Sequence, residues 1–253
     1  MHAPWLIADP EPYEEYDLGP LKTGKEAEVF LIERVAADGR SCLLAHKRYR
    51  PRQVTYKGEL QELGFQRASN FVNDQAYRSE RSLANSRDQR AAAKKTRHGR
   101  AVLNHEWPTN EFEMLRRMAR AGVTVPLPVS RTADGLLMQY IEDRTMAAPR
   151  LVQAGLRRAG LEQAASMLVD NVRRMVGAGV VHADLSVFNL LWWDDVLFVI
   201  DVPQAVDIGT NAQAFDFLHR DLENVGTWFR SKGVAFDAEA LFRDLVAEAF
   251  GPT

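Results

Sequence analysis

Apolar positions fall into two regimes along the chain. In the first half they come as short runs separated by turn residues. Glu28-Val29-Phe30-Leu31-Ile32 and Ser41-Cys42-Leu43-Leu44-Ala45-His46-Lys47 flank Ala37-Asp38-Gly39-Arg40, so the stretch from Leu18 to Lys47 predicts an antiparallel sheet. Residues 108–121 predict a helix, with Thr109 as its cap, Glu111 and Glu113 in the first turn, and Gly122 as its stop. Leu127–Arg131 and Leu136–Ile141 then predict two more strands around Ala133-Asp134-Gly135.

Beyond residue 150 the spacing changes. Leu161, Ala164, Ala165, Leu168, Val172, Met175 and Val176 form a stripe at helical period, closed by Gly177 and Gly179. Short strands at Leu190–Trp193 and Leu197–Ile200 flank Asp194-Asp195. Phe215, Leu218, Leu222, Val225 and Phe229 predict a long amphipathic helix, and Leu241, Leu245, Val246 and Ala249 a last one. The outcome is an α+β chain of two lobes. Residues 1–17 form an extended lead-in, 18–141 a sheet-rich N-lobe with one major helix, and 142–253 a mainly helical C-lobe, with a hinge at Gln139–Arg144.

Charge alters this picture at one place. The net charge of −2 is the sum of a basic insert and an acidic body. Residues 48–105 carry 13 Lys/Arg against 5 Asp/Glu, and the rest carries 19 against 29. The insert reads mostly as a mobile, solvated excursion, with a short helix in its first part. No apolar run approaches the roughly 20 residues that span a bilayer. The start of the chain has no basic segment followed by an apolar one, so no membrane association or secretory signal is expected. The single cysteine, Cys42, excludes an intrachain disulfide and fits a reducing, cytoplasmic setting.

Candidate chemistry narrows quickly. None of the six histidines pairs at a zinc-like spacing, and one cysteine builds no thiolate site. Gly19-Pro20-Leu21-Lys22-Thr23-Gly24-Lys25-Glu26 approaches a Walker A loop. Glu26 stands where a hydroxyl must reach Mg²⁺, and a strand follows rather than a helix. A glycine-bearing turn between strands still offers backbone N–H groups to phosphates. The strongest signal is His182-Ala183-Asp184-Leu185-Ser186-Val187-Phe188-Asn189, followed by Val199-Ile200-Asp201. An aspartate with an asparagine five positions later has the spacing of a protein-kinase catalytic loop. Asp184 is then the group that orients the acceptor hydroxyl and takes its proton, while Asn189 and Asp201 are the metal ligands. Lys47, at the end of a strand, and Glu111, preferred over Glu113, complete the expected phosphate-holding pair.

These segments resemble the RIO family of atypical serine/threonine protein kinases, over about Leu21 to Phe229. The resemblance rests on Thr23-Gly24-Lys25-Glu26-Ala27-Glu28-Val29-Phe30, His182-Ala183-Asp184-Leu185-Ser186 with Asn189, Ile200-Asp201-Val202-Pro203-Gln204, and Phe217-Leu218 with Arg220-Asp221 and Asn224. It is nearest to the type-one branch. It implies a bilobal kinase-like fold with a reduced C-lobe, since 52 residues follow Asp201. It also implies ATP with Mg²⁺, or Mn²⁺ in its place, and autophosphorylation. Thr23, Gly24, Lys25, Glu26, Lys47, Glu111, Met138, Tyr140, Ile141 and Ser186 are the expected ATP- and phosphate-binding residues. The insert supplies Ser69, Ser79, Ser82, Ser86 and Thr96 as candidate autophosphorylation sites.

The chain departs from the family at several points. Lys22 stands where the type-one branch usually has Ser, Val187-Phe188 replaces Glu-Tyr, and Pro203 is a type-two feature, so the chain reads as a divergent, bacterial member. Two other readings stay open. One is an ATP-driven switch that binds an RNA–protein or ribosomal particle through the basic insert. The other is a small-molecule kinase of the aminoglycoside or choline type, against which the short tail after Asp201 argues. Ala183 occupies the position of the arginine that docks a phosphorylated activation loop, so no such switch is expected.

Overall fold

The computed structural model describes residues 4–8, 10–24, 27–50, 110–142 and 147–250. The N-lobe is a five-stranded antiparallel sheet in the order β1 (Tyr13–Thr23), β2 (Ala27–Ala36), β3 (Ser41–Tyr49), β5 (Gly135–Gln139), β4 (Pro128–Arg131). A helix, α1, covers residues 110–120. The C-lobe holds α2 (Arg158–Gly177), β6 (Val180–Val181), β7 (Leu190–Trp193), β8 (Val196–Val199), β9 (Val206–Asp207), α3 (Ala214–Ser231) and α4 (Ala238–Phe250). Among the described residues no helix is long and apolar enough to cross a membrane.

Period-two alternation assigns the sheet two jobs. Leu44 and Leu137 face one side, where they pack with Ile7, Ile32, Ala36 and Cys42. Leu136, next to Leu137, faces the other side and joins the main core with α1 and α2. The N-terminal segment is therefore more than a lead-in. Ile7 is buried, its carbonyl accepts from Arg34 Nη1 at 3.0 Å, and Arg34 pairs with Glu15 at 2.8 Å. β1 starts at Tyr13, ahead of the expected Leu18, because Tyr13 pairs with Ala36 at the far end of β2. Its acids and two register shifts hide the alternation that would announce a strand. β3 likewise continues through Arg48 and Tyr49, beyond the expected start of the insert at residue 48. Residues 51–105 of that insert, its expected short helix and Thr109 lie outside the described residues.

Glycine closes α1 where the sequence indicates. Gly122 has φ +78°, its N–H donates to Ala119 O at 3.1 Å, and Val123 N–H donates to Met118 O at 3.0 Å. This pair of reversed bonds satisfies carbonyls that the helix end leaves open. The chain is then tied to the C-lobe. Asn171, buried in the apolar stripe of α2, accepts from Thr124 N–H at 2.8 Å, and Thr124 O accepts from Val199 N–H at 2.9 Å. Arg174 donates to Gly122 O at 2.6 Å. One polar residue in an apolar stripe thus fixes the segment between the end of α1 and the start of β4 relative to α2.

The C-lobe follows its patterns closely. Ala164, Ala165, Leu168, Val172, Met175 and Val176 are buried on α2. Phe217, Leu218, Leu222, Val225 and Phe229 are buried on α3, while Phe215 turns to the end of α4 and meets Phe250 with ring centroids 5.3 Å apart. β7 and β8 form a hairpin through Asp194 and Asp195, both left-handed at φ +47° and +56°, as a two-residue turn with the twist of the flanking strands requires.

Candidate active site

Three elements bring ionisable groups to one point. Lys47 lies two residues before the end of the central strand β3, Glu111 lies in the first described turn of α1, and Asp201 follows β8. Lys47 Nζ donates to Glu111 Oε1 and to Asp201 Oδ1, both at 2.8 Å. Helical periodicity selects the glutamate. Glu111 shares the inward face of α1 with Phe112, Leu115, Met118 and Ala119, whereas Glu113 points out and pairs with Arg116. The residue beside Lys47 is therefore Glu111.

The electrostatics follow from one ammonium between two carboxylates. Burial alone would push the Lys47 ammonium down, but Glu111 and Asp201 overcome it and hold it above the usual lysine range. Burial raises Glu111, with Lys47 opposing; its Oε2 has no hydrogen-bond partner among the described residues. Asp201 is half-exposed. Burial works against its charge, but Lys47 outweighs this and keeps the carboxyl below the usual range. With both carboxylates ionised the triad has a formal charge of −1.

The loop from His182 to Asn189 runs alongside, and three successive residues are held from different directions. Ala183 O accepts from Arg220 Nη2 at 2.6 Å, Asp184 O accepts from Asn189 Nδ2 at 2.9 Å, and Leu185 N–H donates to Asp221 Oδ1 at 3.1 Å. Ala183 is fully buried at φ +63°, and Asp201 also has φ +63°. Each left-handed non-glycine residue costs about 1–2 kcal/mol, which the surrounding contacts must offset. His182 is buried, and its Nε2–H donates to Ile200 O at 3.1 Å, which links the loop to the residue before Asp201. Burial depresses its pKa and keeps the ring neutral. The Asp184 side chain itself is exposed.

The remaining expected residues divide. Thr23 is the last residue of β1, opposite Glu28. Gly24 N–H donates to Ala27 O at 2.9 Å, and a Cβ on Gly24 would stand 2.9 Å from that same oxygen, so the turn needs glycine. Lys25 and Glu26 lie outside the described residues. Met138 pairs with Ala45 on β5. Tyr140 is half-buried, its hydroxyl pushed up by burial and by the Glu142 carboxylate. The Ile141 side chain is buried, and its carbonyl accepts from Ala148 N–H at 3.0 Å. Ser186 caps the short turn at Val187–Asn189 through its backbone, its carbonyl accepting from Asn189 N–H at 2.9 Å. The sequence reading gave no role to Arg220 and Asp221, although both stand in a segment that carried the family resemblance. A charged pair in an amphipathic stripe was the available signal, since Asp221 falls on the buried face of α3.

Comparison with known proteins identifies a family. A family model for the RIO domain matches residues 69–241. The chain is similar to the RIO-type serine/threonine-protein kinase Rio1 of Haloferax volcanii, at 32% identity over 88% of this chain and 67% of the relative. It is 33% identical to the RIO-type serine/threonine-protein kinase Rio1 of Thermoplasma acidophilum, over 53% of this chain and 69% of the relative. It is also 27% identical to serine/threonine-protein kinase RIO1 of Chaetomium thermophilum, over 85% of this chain. The match spans 40% of that fungal relative's length, so much of the longer protein has no counterpart in it.

Proposed function

This chain belongs to the RIO domain family, and from that membership we propose that it is a serine/threonine protein kinase acting through Asp184, Lys47, Asn189 and Asp201. The observation that carries the reading is the Lys47 ammonium held 2.8 Å from both Glu111 and Asp201. Lys47 and Glu111 together present a fixed positive charge to the phosphates of ATP, and the turn at Thr23-Gly24 covers them. Asp184 orients the serine or threonine hydroxyl. As the Oγ–phosphorus bond forms and the bond to the β,γ-bridging oxygen breaks, the hydroxyl proton passes to the Asp184 carboxylate. The three backbone anchors around Ala183–Leu185 keep that carboxylate in place without a conformational search.

The donor set fits Mg²⁺, or Mn²⁺ in its place. Asn189 commits its nitrogen to Asp184 O, which leaves the amide oxygen as the ligand atom, and Asp201 brings a carboxylate to a triad with net negative charge. These are hard oxygen donors, too few for a cation cage, and suit an ion that keeps waters and phosphate oxygens as its other ligands. An ion held by Asn189 and Asp201 would supply positive charge to offset that of the phosphates. The positive balance of residues 48–105 supports RNA or a ribosomal particle as a further partner of the same protein, and its serines and threonine as self-phosphorylation sites.

Labelled ATP with Mg²⁺ tests the reading. Wild type should label itself or an added protein on Ser/Thr, and Asp184→Ala should lose at least about 100-fold in rate while still binding ATP. Equal labelling by both proteins would end the assignment of Asp184, and absence of labelling and of ATP turnover in wild type would end the kinase reading.

A further inference from the structure

Lys22 is a cation that the family pattern does not supply, and the sheet register places it in the site. Lys22 pairs with Val29 across β1 and β2, and Val29 pairs with Lys47 across β2 and β3. Directly opposed residues point to the same face, so Lys22, Val29 and Lys47 form one row on the face that meets Asp201. The backbones of β1 and β3 are about 10 Å apart at the usual strand spacing. A register shift between Pro20 and Lys22 is what brings Lys22, and not Leu21, opposite Val29.

A second cation comes from the other lobe. Arg150 bridges to Leu191 through its backbone, and its Nη1 donates to Phe188 O at 2.6 Å, inside the loop that carries Asp184 and Asn189. Lys22 lies in the electrostatic field of Arg150, Asp201 and Lys47. Burial and then Arg150 hold its ammonium below the usual lysine range, while Asp201 acts against them. One cation stands in the strand row of Lys47 and the other is held against the loop of Asp184 and Asn189, so like charges from the two lobes border the site where Lys47 pairs with Asp201. Such an arrangement raises the energy of the cations and is relieved by an anion between them.

We propose that Lys22 and Arg150 form an anion clamp between the lobes that holds the phosphate chain of the nucleoside triphosphate, in addition to Lys47. The inference rests on the kinase reading and deepens it. Lys22 donates from the N-lobe sheet and Arg150 from beside the catalytic loop, so the polyphosphate is gripped from both sides. The adenosine end contributes nothing to this grip.

The test is calorimetric binding of ATP, adenosine and inorganic tripolyphosphate to the full chain, for wild type, Lys22→Met, Lys22→Ser, Arg150→Gln and the double variant. Thermal melts accompany each, and Lys22→Ser restores the residue usual in the type-one branch. Each single variant should weaken ATP about tenfold and leave adenosine unchanged. Tripolyphosphate should compete with ATP on wild type and fail on the double variant. The double variant should lose less than the product of the single losses, because both side chains hold the same group. Unchanged ATP affinity in the Lys22 variants, or equal weakening of ATP and adenosine, would overturn the clamp while the kinase reading stands. Failure of wild type to bind ATP at all would bring down both.

Discussion

Asp221 shows how one side chain sets a pH limit on the site. It is buried, accepts from Leu185 N–H, and has a second oxygen with no partner among the described residues. Burial pushes its carboxyl up to about 7, with Arg220 and the Leu185 and Ala183 amides opposing. The folded state therefore holds the proton more tightly than the unfolded chain. That stabilisation is complete below about pH 4 and is lost as the pH rises through about 7. Denaturant midpoints of wild type and Asp221→Asn, followed from pH 5 to 8, should diverge by about 2–3 kcal/mol, with wild type losing stability and the variant keeping it. Parallel curves would refute the assignment. At this scale the sequence was readable where a residue's role follows from spacing. Glu111 is separable from Glu113 because α1 has one inward face. Asp221 was not readable, because a carboxylate on an apolar face has no pattern of its own until its partner loop is placed.

Elements were legible in proportion to how cleanly one face is buried. α2, α3 and the β7–β8 hairpin lie close to their expected bounds, since each buries a single stripe. β1 was harder to read, because an exposed edge strand needs no apolar alternation. Where two elements touch through backbone, only the structure reveals the constraint. Gly135 opens β5 opposite Arg48, and a Cβ there would fall 1.8 Å from Lys47 O. The carbonyl belongs to the central strand, which cannot move aside without moving Lys47. Gly135→Ala should therefore cost about 3 kcal/mol or more in chemical denaturation and weaken ATP binding with it. A variant with wild-type stability would show that β5 can slide along β3 at no cost.

For the whole molecule, the candidate site draws on both lobes. Lys47 and Glu111 come from one, Asp184, Asn189 and Asp201 from the other, and Asn171 fixes the segment between them through Thr124. The bilobal outline and the place of the loop between β6 and β7 were visible in the sequence because each is local. The lobes' mutual placement was not, since it depends on a buried amide and on backbone contacts such as Val199 N–H to Thr124 O. Lys22 was noticed as a departure, but its position became meaningful only through the register of three strands.

The outer strands of the N-lobe sheet have a consequence for how copies of the protein meet. Among the described residues β1 is an edge strand of 11 residues, long enough to template pairing with a neighbour. It carries Glu14, Glu15, Asp17 and Pro20, and its register slips twice, once at Gly19, whose φ is +103° and whose N–H donates to Asp17 Oδ1 at 2.9 Å. The other rim, β4, has four residues, begins with proline and slips once. Both rims thus resist strand addition by charge, by missing donors and by local twist. Glu14→Val with Pro20→Val removes two of these safeguards while sparing the Glu15–Arg34 pair. Light scattering at rising concentration should show the double variant associating at a several-fold lower threshold than wild type, and equal thresholds would place the protection elsewhere. Resistance to strand addition in this fold is written into the border of one sheet.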